Sequence, residues 1–213
     1  MPRFRHGLVT FATLLAACSG SPNAVPSLVA TPAPPPAATT VATAAPTLEV
    51  PGPTAAETPS TFMSLLYDYS ITLPAGWHAG SAMLRWDGAS APGHDDPSVD
   101  KFGGPGTVSA FANAGPTSDD LDAFVRHTIE WTVRDHGDTC PATAPEVTEP
   151  IDFAGEKGHF LAWNCGILIN QALLVRDGVA YTMVMRDPGV PAATDAADRA
   201  LLQQLLDSVV FGS

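Results

Sequence analysis

From Tyr67 to Leu73 apolar and polar positions alternate, with Tyr67, Tyr69, Ile71 and Leu73 set against Asp68, Ser70 and Thr72. Period two marks a strand with one buried face, and Pro74-Ala75-Gly76 ends it in a turn. Trp77 opens a second strand expected to reach about Trp86. Residues 87–106 are rich in Gly, Pro and Asp and read as a long loop, and residues 107–113 as a strand. The period then changes: Leu121, Phe124, Val125, Thr128, Ile129 and Thr132 make one apolar-leaning face of a helix. Thr117 is expected to cap that helix, with Asp120 three residues on. Acids at 119, 120 and 122 suit the positive end of its dipole, and Arg134, His136 and Gly137 suit its end.

Period two returns in four strands at 146–153, 159–164, 167–176 and 179–186, the last two joined by the strong hairpin signal Asp177-Gly178. Thr194 is expected to cap a final helix that buries Leu201, Leu202, Leu205, Leu206, Val209 and Val210. Four successive strands with no crossover helix imply a mainly antiparallel sheet packed by helices, an α+β fold.

The N-terminal part follows neither period. Arg3 and Arg5 precede an apolar run of eleven residues, Gly7 to Ala17, too short for the roughly 20 helical residues a membrane span needs. A short apolar run behind positive charge is the pattern of a secretory signal. The run ends in Leu15-Ala16-Ala17-Cys18, which resembles the lipobox of bacterial lipoproteins. That resemblance implies a signal peptide over 1–17 and a diacylglycerol on Cys18, which becomes the mature N-terminus and a stable anchor once several acyl chains are attached. The alternative is an ordinary cleaved signal followed by an unrelated Cys.

With Cys18 lipidated, Cys140 and Cys165 remain and are expected to pair as a disulfide in an oxidising compartment, the alternative being two free thiols. A metal site at either is poorly supported, because no CxxC or clustered His accompanies them.

Between Ser19 and Thr61 lie ten of the chain's 21 prolines, no Lys or Arg, no aromatic residue and two acids, Glu49 and Glu57. Such a stretch buries too little apolar surface to offset the entropy of ordering. It reads as a disordered tether over 18–61, ahead of a folded domain over 62–213. The full chain carries a net charge of -12. Loss of Arg3 and Arg5 with the signal leaves eight basic against 22 acidic side chains, a net of -14. A domain this acidic is repelled by nucleic acid and by anionic membrane surfaces.

Tyr69-Ser70-Ile71-Thr72-Leu73-Pro74-Ala75-Gly76-Trp77 resembles the opening of PsbP-like domains, where a strand ends in Pro-x-Gly-Trp. The Asp177 to Tyr181 hairpin and the closing Leu206-Asp207-Ser208-Val209-Val210-Phe211 are similar too. The Ran-binding Mog proteins and mycobacterial LpqN-type lipoproteins share that fold. The resemblance spans about 65–213. It implies an α/β/α sandwich around an antiparallel sheet and proteins that mostly bind or assemble other proteins. It transfers no site residue, because the matching positions are turns and core.

No GxSxG elbow, HExxH helix, Walker loop or CxxC is present. Gly103-Gly104-Pro105-Gly106 reads as a flexible turn, since a strand follows it rather than the helix a phosphate loop requires. His94, Asp95, Asp96 and Asp100 share the long loop, without EF-hand spacing. They read as a solvated acidic loop rather than a cation site, and removing all four is expected to leave stability nearly unchanged. His136 and Asp138 at the helix end read as capping groups rather than a catalytic pair. Trp77, Trp86, Trp131 and Trp163 are candidates for core or for the walls of a ligand cleft.

These readings lead to a lipid-anchored protein on the extracytoplasmic side of the cell membrane. Its domain is expected to be a non-catalytic binding or adaptor module for an envelope protein, with no catalytic residue, no cofactor, no metal and no nucleic-acid partner. The alternatives are an envelope hydrolase assembled in the fold and a small-ligand or lipid carrier. A buried pocket with an ionisable pair favours the enzyme, a deep dry cavity the carrier, and a shallow apolar surface patch the adaptor.

Overall fold

A computed structural model describes residues 58–189 and 196–212. Cys18, the signal peptide, the tether as far as Glu57 and the Thr194 cap lie outside the described residues.

Seven strands form one antiparallel sheet: β3 (His78–Gly80), β4 (Asp100–Gly103), β5 (Ser109–Pro116), β6 (Val147–Phe153), β7 (Glu156–Asn164), β8 (Leu168–Arg176) and β9 (Val179–Arg186). Their spatial order is β3-β4-β5-β9-β8-β7-β6. β1 (Ser60–Met63), β2 (Tyr69–Leu73) and β10 (Val210–Phe211) form a second sheet with β2 in the middle. Helix α1 (Leu121–His136) lies between β5 and β6 in the chain, and α2 (Ala196–Asp207) follows β9.

Strand alternation sorts the side chains of the large sheet onto two faces. Phe111, Asn113, Trp163, Gln171, Thr182 and Val184 share one face with α1. Ala112, Phe153, Phe160 and Met183 point the other way, toward α2 and the small sheet. There Arg199 pairs with Glu149 and covers the Phe160 ring at 4.7 Å. Phe62 of β1 meets Phe102 of β4 edge to face at 5.3 Å. The expected mainly antiparallel α+β sandwich is therefore present, with a small second sheet on the α2 side.

Most of the strand expectations hold. The Asp177-Gly178 hairpin has both residues at positive φ, 50° and 76°, as a tight turn of the right hand requires. In α2, Leu202, Leu205 and Leu206 are buried, whereas Val210 beyond it is exposed.

Four local readings are corrected. The strand expected from Trp77 to Trp86 stops at Gly80. Two residues on, the Ala82 N–H donates to the Asp100 carboxylate at 2.8 Å instead of to a strand carbonyl. The expected loop at 87–106 contains β4, fixed by Phe102, which is fully buried. The α1 cap is Asp120, whose Oδ1 accepts from the Ala123 N–H at 2.8 Å. Thr117 instead accepts from the Asp119 N–H at 3.0 Å, one turn earlier. Gly137 ends α1 in right-handed geometry, φ -53°, so its freedom to adopt positive φ is not used.

Candidate functional site

A cavity of about 340 Å³ lies beneath α1, within the 300–1,000 Å³ range of ligand pockets. Its floor is the centre of the large sheet, its roof is the second half of α1, and residues 90–94 close one side. Rings of Trp86, Phe111, Trp131 and Trp163 line it. Trp86 and Trp131 meet nearly perpendicular at 6.2 Å.

The last turn of α1 holds the closing loop in place. The His136 Nε2–H donates to the Ala91 carbonyl at 2.7 Å, and the Ala91 N–H donates to Asp135 at 3.0 Å. Arg134 donates to the Ala89 carbonyl at 3.1 Å, and the Trp86 indole to the Ser90 carbonyl at 3.2 Å. The Arg134 guanidinium, followed by the Ala91 N–H, holds the Asp135 carboxyl down to about 2. Asp135 thus stays ionised and keeps its grip on the loop over the whole ordinary pH range.

One end of the cavity is closed by the Cys140–Cys165 disulfide, with Cα atoms 4.3 Å apart. It ties the chain just after α1 to the chain just after β7, where the Cys165 N–H also donates to the Ile167 carbonyl. In the chain-entropy model a 25-residue crosslink stabilises by roughly 3–4 kcal/mol.

Polar groups without protein partners concentrate on this cavity. Both polar atoms of the Asn113 amide, the Thr128 hydroxyl and the Trp163 indole N–H have no hydrogen-bond partner. Their residues are 1%, 3% and 1% exposed, and all three line the cavity. A buried polar group left unpaired costs about 1–3 kcal/mol.

The lining contains no Asp or Glu among the described residues, although the chain has 22 acids. Its ionisable members are His94, His136 and Arg186. Among the described residues no acid–base side-chain pair faces the space.

The residues singled out from the 94–100 segment do not come together. His94 contacts exposed Asp95 at 3.3 Å. Asp96 accepts from the Ser98 N–H at 2.8 Å and its hydroxyl at 2.6 Å. Asp100 is 0% exposed and accepts from Tyr69 and Ala82, which corrects its reading as a member of a solvated loop. Among the described residues no three His, Cys, Asp or Glu side chains gather to hold a metal. His127 donates to Asp119 at 2.6 Å and stacks on Trp131 at 5.8 Å, so it supports the roof. Of the four tryptophans, Trp77 is core beside Gly104 and the other three are cavity wall.

Sequence reasoning missed Asn113, Thr128 and Gln171. The signal was there: each is a polar residue at a position whose strand or helix period points inward.

No family model and no curated protein matches the chain. The chain is similar to solved structures. One is the cyanobacterial PsbP (CyanoP) from Synechocystis sp. PCC 6803, at 15% identity and a TM-score of 0.48, over 77% of this chain and 98% of that chain. Another is a protein from Bacteroides thetaiotaomicron at 13% identity and a TM-score of 0.43, over 74% of this chain and 49% of that one. The likeness concerns the course of the chain and brings no residue or activity to this protein. Among the described residues no helix is long and apolar enough to cross a membrane.

Proposed function

We propose that the domain is a non-catalytic binding module that holds a small, largely apolar ligand beneath α1, and that Cys18 tethers it outside the cytoplasmic membrane. The observation that carries this reading is the cavity of about 340 Å³ walled by the rings of Trp86, Phe111, Trp131 and Trp163, with Arg186 in its lining. An apolar site with a few placed polar groups is the usual make-up of a ligand pocket. The absence of an acid–base pair from the described lining favours binding over hydrolysis. Native mass spectrometry of the full chain, isolated from its host envelope, tests the reading. A bound small molecule lost in Trp131→Ala supports it. A ligand-free protein that also binds no apolar fluorophore in the cavity overturns it.

A surface observation favours the adaptor reading as a second one. Met63, Leu65, Met83 and Leu84 are all exposed. Their segments are stitched together by Arg85 donating to the Leu66 carbonyl at 2.6 Å and Tyr67 donating to the Leu84 carbonyl at 3.2 Å. Exposed apolar side chains on segments linked in this way suit a protein partner. Crosslinking in cells distinguishes it: Met63→Ser with Met83→Ser loses a specific protein adduct if that surface is used.

A further inference from the structure

We infer that the ligand is an aromatic carboxylate or a similar flat anion, and that Arg186 receives its charge. This rests on the small-ligand reading above and specifies it.

Arg134, Arg176 and Arg199 pair with carboxylates, whereas Arg85, Lys101, Arg126, Lys157 and Arg186 form no ion pair among the described residues. Of these five, Arg186 alone lines the cavity, and its Nε donates only to the Ser109 hydroxyl at 3.3 Å. A guanidinium offers five donors in a planar fork that matches a carboxylate, so most of its donor capacity remains for a ligand. The cavity around it is free of acids in its described lining, and His94 sits at the same rim with its ring 6.1 Å from that of Phe111.

The rest of the ligand follows from the register. Arg186 faces Ile169 on β8, and Ile169 faces Trp163 on β7, so the three stand in one row across the sheet. With strands about 4.8 Å apart, the row runs about 10 Å from cation to indole. An anionic group at Arg186 therefore places a flat body over Ile169 and Val184 with its far end at Trp163. The walls beside that path are the rings of Phe111 and Trp131. Two fused rings bearing one carboxylate match this length, charge and shape.

The test titrates the purified full chain with 2-naphthoate, 2-naphthalenemethanol and decanoate, read by tryptophan fluorescence and calorimetry. Naphthoate is expected to bind at least roughly tenfold more tightly than the alcohol, the size of one charge-assisted hydrogen bond. That advantage should shrink with added salt. Arg186→Gln should remove it while leaving the alcohol's affinity unchanged, which also shows that the variant is folded, and Arg186→Lys should retain part. Equal binding of acid and alcohol by the native protein would overturn the inference and leave the small-ligand reading standing. Decanoate binding more tightly than naphthoate would overturn the aromatic class. Saturable binding of none of the three would overturn the inference, and the native mass spectrum then decides the broader reading separately.

Discussion

The Tyr69 hydroxyl donates to the Asp100 carboxylate at 2.8 Å, joining the middle strand of the small sheet to β4 of the large one. Both residues are buried, and the second Asp100 oxygen accepts from the Ala82 N–H. The carboxylate thus joins two sheets and ends a strand at once.

Asp100→Ala should therefore destabilise the domain by roughly 2–4 kcal/mol, because a buried hydroxyl and a buried N–H lose their acceptor together. Asp95→Ala, on an exposed side chain of the same segment, should change stability by less than about 0.5 kcal/mol. Urea unfolding of the two variants checks the contrast. Equal, small effects would mean that Asp100 does not carry this junction.

The same pair sets the alkaline behaviour. Burial, then the Asp100 charge, pushes the Tyr69 hydroxyl well above its ordinary value, and burial raises Tyr67 and Tyr181 too. A folded-state value above the unfolded one favours the protonated form in the fold. The stabilisation is therefore complete below about pH 10 and is lost as pH rises through the folded value. Absorbance titration should show less tyrosinate at pH 10 than three free tyrosines would give, with Tyr69 ionising last. A normal titration of all three would contradict the burial described.

Asn113→Leu should leave stability unchanged or raise it by about 1 kcal/mol, since an unpaired buried amide gives way to an apolar group of similar size. The same change should weaken the bound ligand. Thermal melts with and without ligand check both signs. A large loss of stability would mean that the amide is paired in the free protein.

Removing the crosslink with Cys140→Ser and Cys165→Ser together should cost roughly 3–4 kcal/mol. Ligand affinity should fall as well, because the bond closes one end of the cavity. Non-reducing peptide mapping should recover the joined pair, and two alkylatable thiols would refute it.

Replacing Cys18 with Ser should release the protein from membranes and abolish labelling by a fatty-acid probe. Membrane retention of this variant with the label unchanged would rule out the anchor.

The fold was legible where one face of an element is buried. Asp177-Gly178, the alternation through residues 179–186 and the Leu202-Leu205-Leu206 stripe each state their role locally. β4 was not legible, because a four-residue strand between Gly/Pro-rich turns has no period to show, and Phe102 declares itself only through Phe62. The cavity was half legible. Its tryptophans were visible as candidates, but a strand reads the same whether its apolar face meets packed side chains or open space. Asn113 and Gln171 become informative only once the register puts them under α1. Asp100 misled because a carboxylate among Gly, Pro and other acids is usually solvated, and its partner Tyr69 lies 31 residues away.

The first strand lies at the edge of the small sheet, and Ser60, where it begins, pairs with Leu73 at the open end of the β1–β2 hairpin. A mechanical pull from the N-terminal side reaches that open end first. It loads the ladder one pair at a time, like a zipper, rather than all pairs together in shear. Four residues peel away under low force, each lengthening the chain by about 3.5 Å. The strands around the cavity belong to the other sheet, which β1 meets through Phe62 and Phe102. β1 is in this sense a mechanical fuse, which gives way at its open end before the strands that floor the cavity are pulled apart.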